Sequence, residues 1–445
     1  MARIVRNDTF NAPVQVPVAI VGGGACGLVT AIALRDAGVD CAVLERDATP
    51  SGSTALSSGF IPAAGTRVQE ALGIADSVAT FAEDIAAKAK GQAAPHLVQA
   101  YAEACAAALD RLGEHGLCFE VLANFLYPGH RVHRMHSLPE RTGVALVAAL
   151  HRVAVEAGAD LLTSARVEEL VVDARDRVLG VALERPGGEH ERIACDVLVL
   201  ACNGFGGNPA LVRELLPEMR DATFAGHAGN DGSAILWGQA LGAALADLGG
   251  YQGHGSWVVP QGALMTWAVM MQGGVQLNAR GERFHDETQG YSEAAVDVLA
   301  QPGGIAWNVF GDAQLALARE FPDFREAEAA GALRTAQDRA GLAAIIGCHP
   351  DALAPEIARL GPPFHAVRVT GALFHTQGGL DIDAQCRVRR PDGSTFPNLL
   401  AAGGAARGVS GNAVWGYLSG NGLLSAVAGG WIAAHTAAAQ LASRN

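Results

Sequence analysis

The chain has 445 residues, enough for two or three domains, and 50% hydrophobic against 17% charged residues supplies ample material for a large buried core. Its formal charge is −13, from 32 basic and 45 acidic residues, and Lys88 and Lys90 are its only lysines. No basic stripe exists to follow a phosphate backbone, so nucleic acid is not an expected partner.

Residues 1–17 are largely polar and lead straight into a strand pattern, without the charged head, apolar stretch and small-residue cleavage site of a secretory leader. Apolar stretches such as 234–248 are interrupted by Gln239 and Asp247 and fall short of the roughly 20 residues a spanning helix needs. No integral membrane segment is predicted, and a cytoplasmic location is expected. Cysteines 26, 41, 105, 118, 195, 202, 348 and 386 show no CxxC, haem or zinc spacing, which predicts reduced thiols and no metal site. Glycine is in excess, 55 of 445 residues, about 12% against a usual ~7%. That excess calls for tight turns or close backbone approaches to a ligand.

In chain order, 17–45 reads strand, turn, helix, strand: Val18-Ala19-Ile20-Val21, Gly22-Gly23-Gly24-Ala25-Cys26-Gly27, an Ala/Leu-rich helix, then Cys41-Ala42-Val43-Leu44-Glu45. Helical spacing recurs over 98–116 and 143–158, and 162–171 with 178–183 read as strands of a small antiparallel sheet. The buried strand 196–201 runs into the glycine-rich turn Cys202-Asn203-Gly204-Phe205-Gly206-Gly207-Asn208. From about 249 to 374 the texture becomes irregular, with helical stretches at 313–320 and 335–346. It returns to strand patterns at 379–383 and 398–404 and ends in an Ala/Gly-rich helix over 420–442.

Gly22, Gly24 and Gly27 form GxGxxG between a strand and a helix: one glycine for the turn, one for approach of a pyrophosphate, one for helix–strand packing. The phosphate sits on the helix start, beside Ala25 and Cys26, and Glu45 is placed to accept hydrogen bonds from the adenosine ribose. After Glu45 and Arg46 comes a second small-residue loop, Ser51-Gly52-Ser53-Thr54-Ala55-Leu56-Ser57-Ser58-Gly59. Such a loop admits a second, larger ring system, which favours FAD over NAD. Predicted FAD contacts are Arg46, Ser53, Thr54, Ser57, Ser58 and Gly59, joined by Val167, Asn203, Gly204, Asp231, Gly404 and Leu423.

Seven pieces in order resemble the FAD-dependent fumarate reductase/succinate dehydrogenase flavoproteins and 3-ketosteroid dehydrogenases: 22–45, 51–59, 201–208, Gly229-Asn230-Asp231-Gly232, 278–287, His375-Thr376-Gln377-Gly378-Gly379 and 402–423. The resemblance implies an α/β fold, a Rossmann-type, glutathione-reductase-like FAD-binding domain split into 1–248 and 375–445. An inserted α+β capping domain, 249–374, would be mobile. It implies hydride exchange between flavin N5 and a carbon next to an activated C–C bond. Some relatives carry the flavin on a histidine in the loop after the ribose acid; 46–66 contains none, so FAD is expected to be non-covalent. Gly403-Gly404 stands where relatives have Gly-Glu, which removes one polar contact to the cofactor.

Fumarate reductases of this type hold a dicarboxylate with two histidines and two arginines. His254 and His375 match the histidines. The proton-donor arginine position is Tyr291, and the clamp position falls in Asn412-Ala413-Val414-Trp415; the acid and arginine that feed the donor fall on Trp267 and Met270. Without bidentate arginines, fumarate is a poor fit. Glu287-Thr288-Gln289-Gly290-Tyr291 instead resembles the segment that carries the catalytic tyrosine of ketosteroid dehydrogenases. The expected activity is FAD-dependent α,β-dehydrogenation of a ketone or other carbonyl compound, or its reverse. Tyr291 would exchange the α-proton, with a nearby donor or positive charge, from His254 or His375, lowering its pKa, and His375 with His254 would hydrogen-bond the carbonyl. Tyr417, Trp267 and Gln377 are the predicted substrate contacts. Reduction of an unsaturated monocarboxylate is the alternative, a non-catalytic flavin module a remoter one; the electron acceptor or donor is not identified. Arg283 and Glu287 read as a structural pair, and His130, Arg131, His133, Arg134 and His136 as a surface or flavin-proximal loop rather than a metal cluster.

Overall fold

The computed structural model describes residues 2–123 and 126–443. They divide into two compact units: Met1–Leu215, Gly226–Gly250 and His375–Asn445, and Leu216–Ala225 with Tyr251–Phe374.

The first unit is built on a nine-stranded sheet. Val14–Val21 and Cys41–Leu44 pair in parallel, Val21 against Leu44, across the helix Ala25–Asp36. His190–Leu200 lies parallel to Val14–Val21 on one side and to Thr395–Ala401 on the other, Leu198 opposite both Ala19 and Leu399. Their inner stretches, 18–21, 41–44, 197–200 and 399–401, are Val, Leu, Ile and Ala with one Cys and are buried, as parallel strands covered on both faces require. The stretch expected as one strand over 162–171 is two. Asp160–Leu162 extends the parallel sheet beside Cys41–Leu44, and Arg166–Val172 pairs antiparallel with Val178–Glu184. The chain breaks between them because the Ser164 and Ala165 N–H groups donate to Asp47 O and Glu45 O, both at 2.8 Å, with Ser164 at φ 51°.

Two further helices, Arg67–Ala71 and Val78–Lys88, carry no strong apolar signal but start on side-chain caps, Thr66 with Gln69 and Ser77 with Thr80. The helix Asn421–Ala442 is long and apolar enough by composition to cross a membrane, which the sequence reading did not credit to any segment. It is a core helix here. A Cβ at Gly430 would stand 2.5 Å from Cys26 O, and Thr30 Oγ1 donates to Gly430 O at 3.1 Å, so the two helices meet backbone to backbone.

The second unit holds a seven-stranded sheet centred on Phe364–Thr376, whose last two residues belong to the first unit. Ile305–Phe310 and Leu333–Ala336 pair antiparallel with it. The expected helix at 335–346 is therefore a strand followed by the shorter helix Arg339–Ile346, started by Asp338 accepting from Gly341 N–H at 2.7 Å. Leu216–Ala225 lies outside the 249–374 span read from the sequence. It belongs to the second unit because Thr223 and Phe224 pair with Ala372 and Leu373.

Candidate active site

In the first unit, the turn after Val14–Val21 is dictated by backbone crowding. Gly22 sits at φ 108°, and a Cβ on Gly27 would stand 1.9 Å from Gly22 O. No side chain caps the following helix at Gly24. Of its first-turn donors, Ala25 N–H is taken by Thr54 Oγ1 at 3.0 Å, and the others are left to an anion. Glu45 is buried, accepting from Gly23 N–H at 2.7 Å and Asp47 N–H at 2.8 Å. A carboxylate has further lone pairs for a ribose.

The second loop is tied to distant segments. Ser53 Oγ accepts from Asn203 Nδ2 (3.1 Å) and Asn230 Nδ2 (2.8 Å). Arg46 donates to Gly229 O and Asp231, at 3.0 and 3.1 Å. Ser57 Oγ donates to Thr54 O at 2.7 Å, and Gly59 is held against Thr142 O. Gly404 is packed on Asn203: a Cβ there would stand 2.0 Å from Asn203 Oδ1, so a glutamate at this place would have to displace the Asn203 amide. Asn203 Oδ1 also accepts from Gly204 N–H. Cys26 is buried, and burial pushes its thiol up to about 12, so it serves as packing. Val167 is buried opposite Leu183, and Ser58 and Leu423 are half-buried. Asn421 Oδ1 and Ser425 Oγ, at the start of the terminal helix, are buried with no partner, two polar atoms waiting for a polar ligand. A helix start only partly capped, a buried ribose acid and orphaned polar atoms together fit a flavin dinucleotide.

His375 lies in the same unit. Its ring meets Tyr417 edge-on with centroids 5.6 Å apart, and a Cβ at Gly422 would stand 2.6 Å from its Nε2. Tyr417 Oη accepts from Gly422 N–H at 3.4 Å, and burial raises that phenol's pKa. Burial also lowers His375 to about 4. Gln377, expected to touch substrate, spends its amide inside the protein: Oε1 accepts from Ser410 Oγ at 2.8 Å and Nε2 meets His375 Nδ1 at 3.2 Å.

The second unit brings His254, Tyr291 and Trp267 together. In Tyr251–Val258, Gly253 and Gly255 let the helix Tyr291–Leu299 lie against the strand; Cβ atoms there would stand 2.8 Å and 2.7 Å from the Cβ atoms of Ala295 and Ala294. Ser292 Oγ donates to Gly253 O at 3.1 Å. The helix's first residue, Tyr291, thus stacks on His254, centroids 4.8 Å apart and planes 20° from parallel. Trp267 stands edge-on to His254 at 5.8 Å, and Phe374, which the sequence did not single out, is tilted at 5.7 Å. Trp267 Nε1 donates to Glu287 O at 3.0 Å, so this side chain offers only its ring. Burial lowers His254 to about 3. At these values neither histidine is charged near pH 7, so of the expected donor or positive charge beside Tyr291 only the donor remains.

Arg283 and Glu287 form the expected structural pair, Nε to carboxylate at 2.9 Å, with Gln276 N–H donating to Glu287 Oε1 at 2.8 Å. In the 130–136 segment Arg131 is exposed, but His130, Arg134 and His136 are buried. Arg134 is fully buried between Asp76 (2.9 Å) and Asp84 (2.6 Å), His130 Nε2 meets Ser419 O at 2.9 Å, and His136 Nε2 meets Thr66 Oγ1 at 2.7 Å. Among the described residues no group of three or more His, Cys, Asp or Glu is placed to hold a metal. Sequence reasoning missed Asn230, Ser256, Phe374, Ser410 and Asn421; the polar residues inside the glycine-rich runs 229–232, 408–412 and 420–422 were the available signal.

The model of an FAD binding domain family matches residues 17–423. An NADH:fumarate oxidoreductase of Klebsiella pneumoniae is 26% identical over 449 residues, 96% of this chain and 48% of that protein. The chain thus spans about half the length of that relative. A flavocytochrome c3 fumarate reductase in its open conformation is similar with a TM-score of 0.83 and 26% identity, over 97% of this chain and 79% of that one. A 3-ketosteroid-Δ4-(5α)-dehydrogenase of Rhodococcus jostii, solved with 4-androstene-3,17-dione, is similar in fold, with a TM-score of 0.78 and 22% identity over 98% of this chain and all of that one.

Proposed function

The chain belongs to the FAD binding domain family, and from that premise we propose that it is an FAD-dependent oxidoreductase acting on the CH–CH bond beside a carbonyl group, with α,β-dehydrogenation of a ketone as its reaction. When bound, FAD supplies a hydride acceptor and donor at N5. Gly22, Gly24, Gly27 and the helix start hold its pyrophosphate, Glu45 its ribose, and Ser53 with Asn203 the loop beside its ring system. The absence of histidine over 46–66 supports non-covalent binding.

The observation that carries the reading is the stacked pair His254 and Tyr291. Tyr291 Oη takes the α-proton in dehydrogenation and returns it in the reverse direction. His254 Nδ1 accepts from Ser256 N–H at 3.1 Å, so its proton rests on Nε2 and that nitrogen is a donor. A neutral N–H donor strengthens its bond as the carbonyl oxygen gains negative charge, and it does so without a buried cation. His375, in the first unit, is assigned a donor role toward a substrate oxygen as well. Trp267 and Phe374 surround His254 with aromatic rings, an environment that suits an apolar carbonyl compound better than a dicarboxylate.

Reduction of an unsaturated monocarboxylate is the second reading, favoured by the likeness to the flavocytochrome fumarate reductase. It uses the same groups in reverse, a carboxylate oxygen replacing the ketone oxygen. Anaerobic mixing of the flavoprotein with ketones tests the first reading through loss of the oxidised flavin's colour. Oxidation of a reduced dye by enoates tests the second. A flavin that responds to neither class overturns both.

A further inference from the structure

We infer that a hydrogen-bond relay through Asn421, Ser410 and Gln377 fixes the proton of His375 on Nε2, so that this ring is presented as a donor and never as an acceptor. Gln377 and Ser410 are then positioning residues, a role that rests on the assignment of His375 to the substrate oxygen.

The direction of the relay follows from which atoms are able to donate. Asn421 Nδ2 donates to Ser410 Oγ at 2.9 Å. With that lone pair engaged, the Ser410 hydroxyl hydrogen goes to Gln377 Oε1 at 2.8 Å. The amide is thereby oriented with Nε2 toward His375 Nδ1, 3.2 Å away. An amide nitrogen donates and does not accept, so Nδ1 is the bare nitrogen and Nε2 carries the hydrogen. Asn421, Ser410 and Gln377 are all buried, which removes competition from bulk water. The chain itself supplies the opposing partner. Thr376 O lies 3.3 Å from the same Nδ1 and would take its proton if the amide were not there. Two partners of opposite demand thus face one nitrogen, and the relay decides between them. Gly422 keeps the Nε2 edge clear of any side chain, since a Cβ there would stand 2.6 Å from that atom.

The same logic is built differently for the other imidazole, where a backbone N–H from Ser256 meets His254 Nδ1. For His375 the relay is made of side chains and is open to substitution. Gln377→Met removes the N–H that faces Nδ1 and leaves Thr376 O as its partner. Ser410→Ala frees the amide to turn its oxygen toward the ring.

The test is nitrogen NMR of the FAD-loaded, substrate-free protein carrying ¹⁵N-histidine, with His375 assigned by difference against His375→Asn. The protonated and bare ring nitrogens resonate far apart, so the tautomer is read directly. The native protein is expected to show hydrogen on Nε2, Gln377→Met hydrogen on Nδ1, and Ser410→Ala a mixture. Hydrogen on Nδ1 in the native protein, or on Nε2 unchanged in both variants, overturns the relay. If Gln377→Met does not fold, Ser410→Ala decides alone. In turnover, Gln377→Met is expected to lower kcat by roughly 10², the scale of losing one donor to a developing oxyanion, with KM little changed. A tautomer that switches while kcat stays constant keeps the relay and removes His375 from the reaction, so the two failures are distinguishable.

Discussion

His254 and Tyr291 lie ring on ring, 4.8 Å between centroids, a buried neutral imidazole against a phenol. If the phenol moves the α-proton, Tyr291→Phe removes the only atom of that side chain able to do so while keeping the stack. The reductive half-reaction is expected to slow by roughly 10²-fold or more, with flavin still bound, as read by anaerobic stopped-flow. An unchanged rate removes Tyr291 from the mechanism.

Acid is expected to destabilise the fold through its buried histidines. The unfolded chain takes up protons near pH 6.5, whereas burial holds His254 at about 3 and His375 and His130 at about 4. Between those values the unfolded state binds more protons, so stability is fully present above about 6.5 and is lost as pH falls through that window. Each such group accounts for up to ~1.4 kcal/mol per pH unit. Urea unfolding across this range is expected to show a shallower pH slope for His130→Asn than for the native chain; identical slopes would exclude His130 as a contributor.

Gly27→Ala places a methyl group 1.9 Å from Gly22 O, against backbone that cannot give way. Purified Gly27→Ala is expected to be colourless or to lose FAD readily, and to be destabilised by about 1–3 kcal/mol or more. Gly113→Ala is the control: its Cβ meets nothing within 4 Å and it lies in the helix Pro95–Glu114. That change is expected to raise stability by ~0.5–1 kcal/mol, as thermal unfolding would show.

Arg134 is enclosed by Asp76, Asp84 and the Phe81 ring. Arg134→Met leaves two buried carboxylates without their shared partner and is expected to cost ~3–5 kcal/mol, measured by urea unfolding. A loss under 1 kcal/mol would mean that Arg131, which also reaches Asp84, holds the carboxylate alone.

Acid precipitation of the yellow protein is expected to release all its flavin into the supernatant, because 46–66 offers no histidine for a covalent link. Colour retained in the washed pellet contradicts this.

What was legible in the sequence follows the range of the forces involved. Gly22, Gly27 and Glu45 were readable because their demands are met within one strand–helix–strand unit, 17–45. The fold around them is readable too, since parallel strands buried on both faces are apolar throughout. Segment 216–225 was not, because what places it is pairing between Thr223 and Ala372, far apart in the chain. Arg134 looked like surface charge, since nothing local announces that Asp76 and Asp84 close over it. Gln377 was read as a substrate contact, and its hydrogen bonds were not legible. Its amide is claimed by Ser410 and His375, and only the folded chain shows which polar atoms are already taken.

The strand Thr395–Ala401 pairs with His190–Leu200 across roughly two hundred intervening residues, and Asn421–Ala442 locks onto Ala25–Asp36 later still. On the ribosome, the N-terminal βαβ segment emerges early and then has to wait, its apolar flank open, until nearly the whole described polypeptide has been synthesised. Such a nascent chain is a natural client for chaperones, and slow translation of its last third would lengthen its exposure.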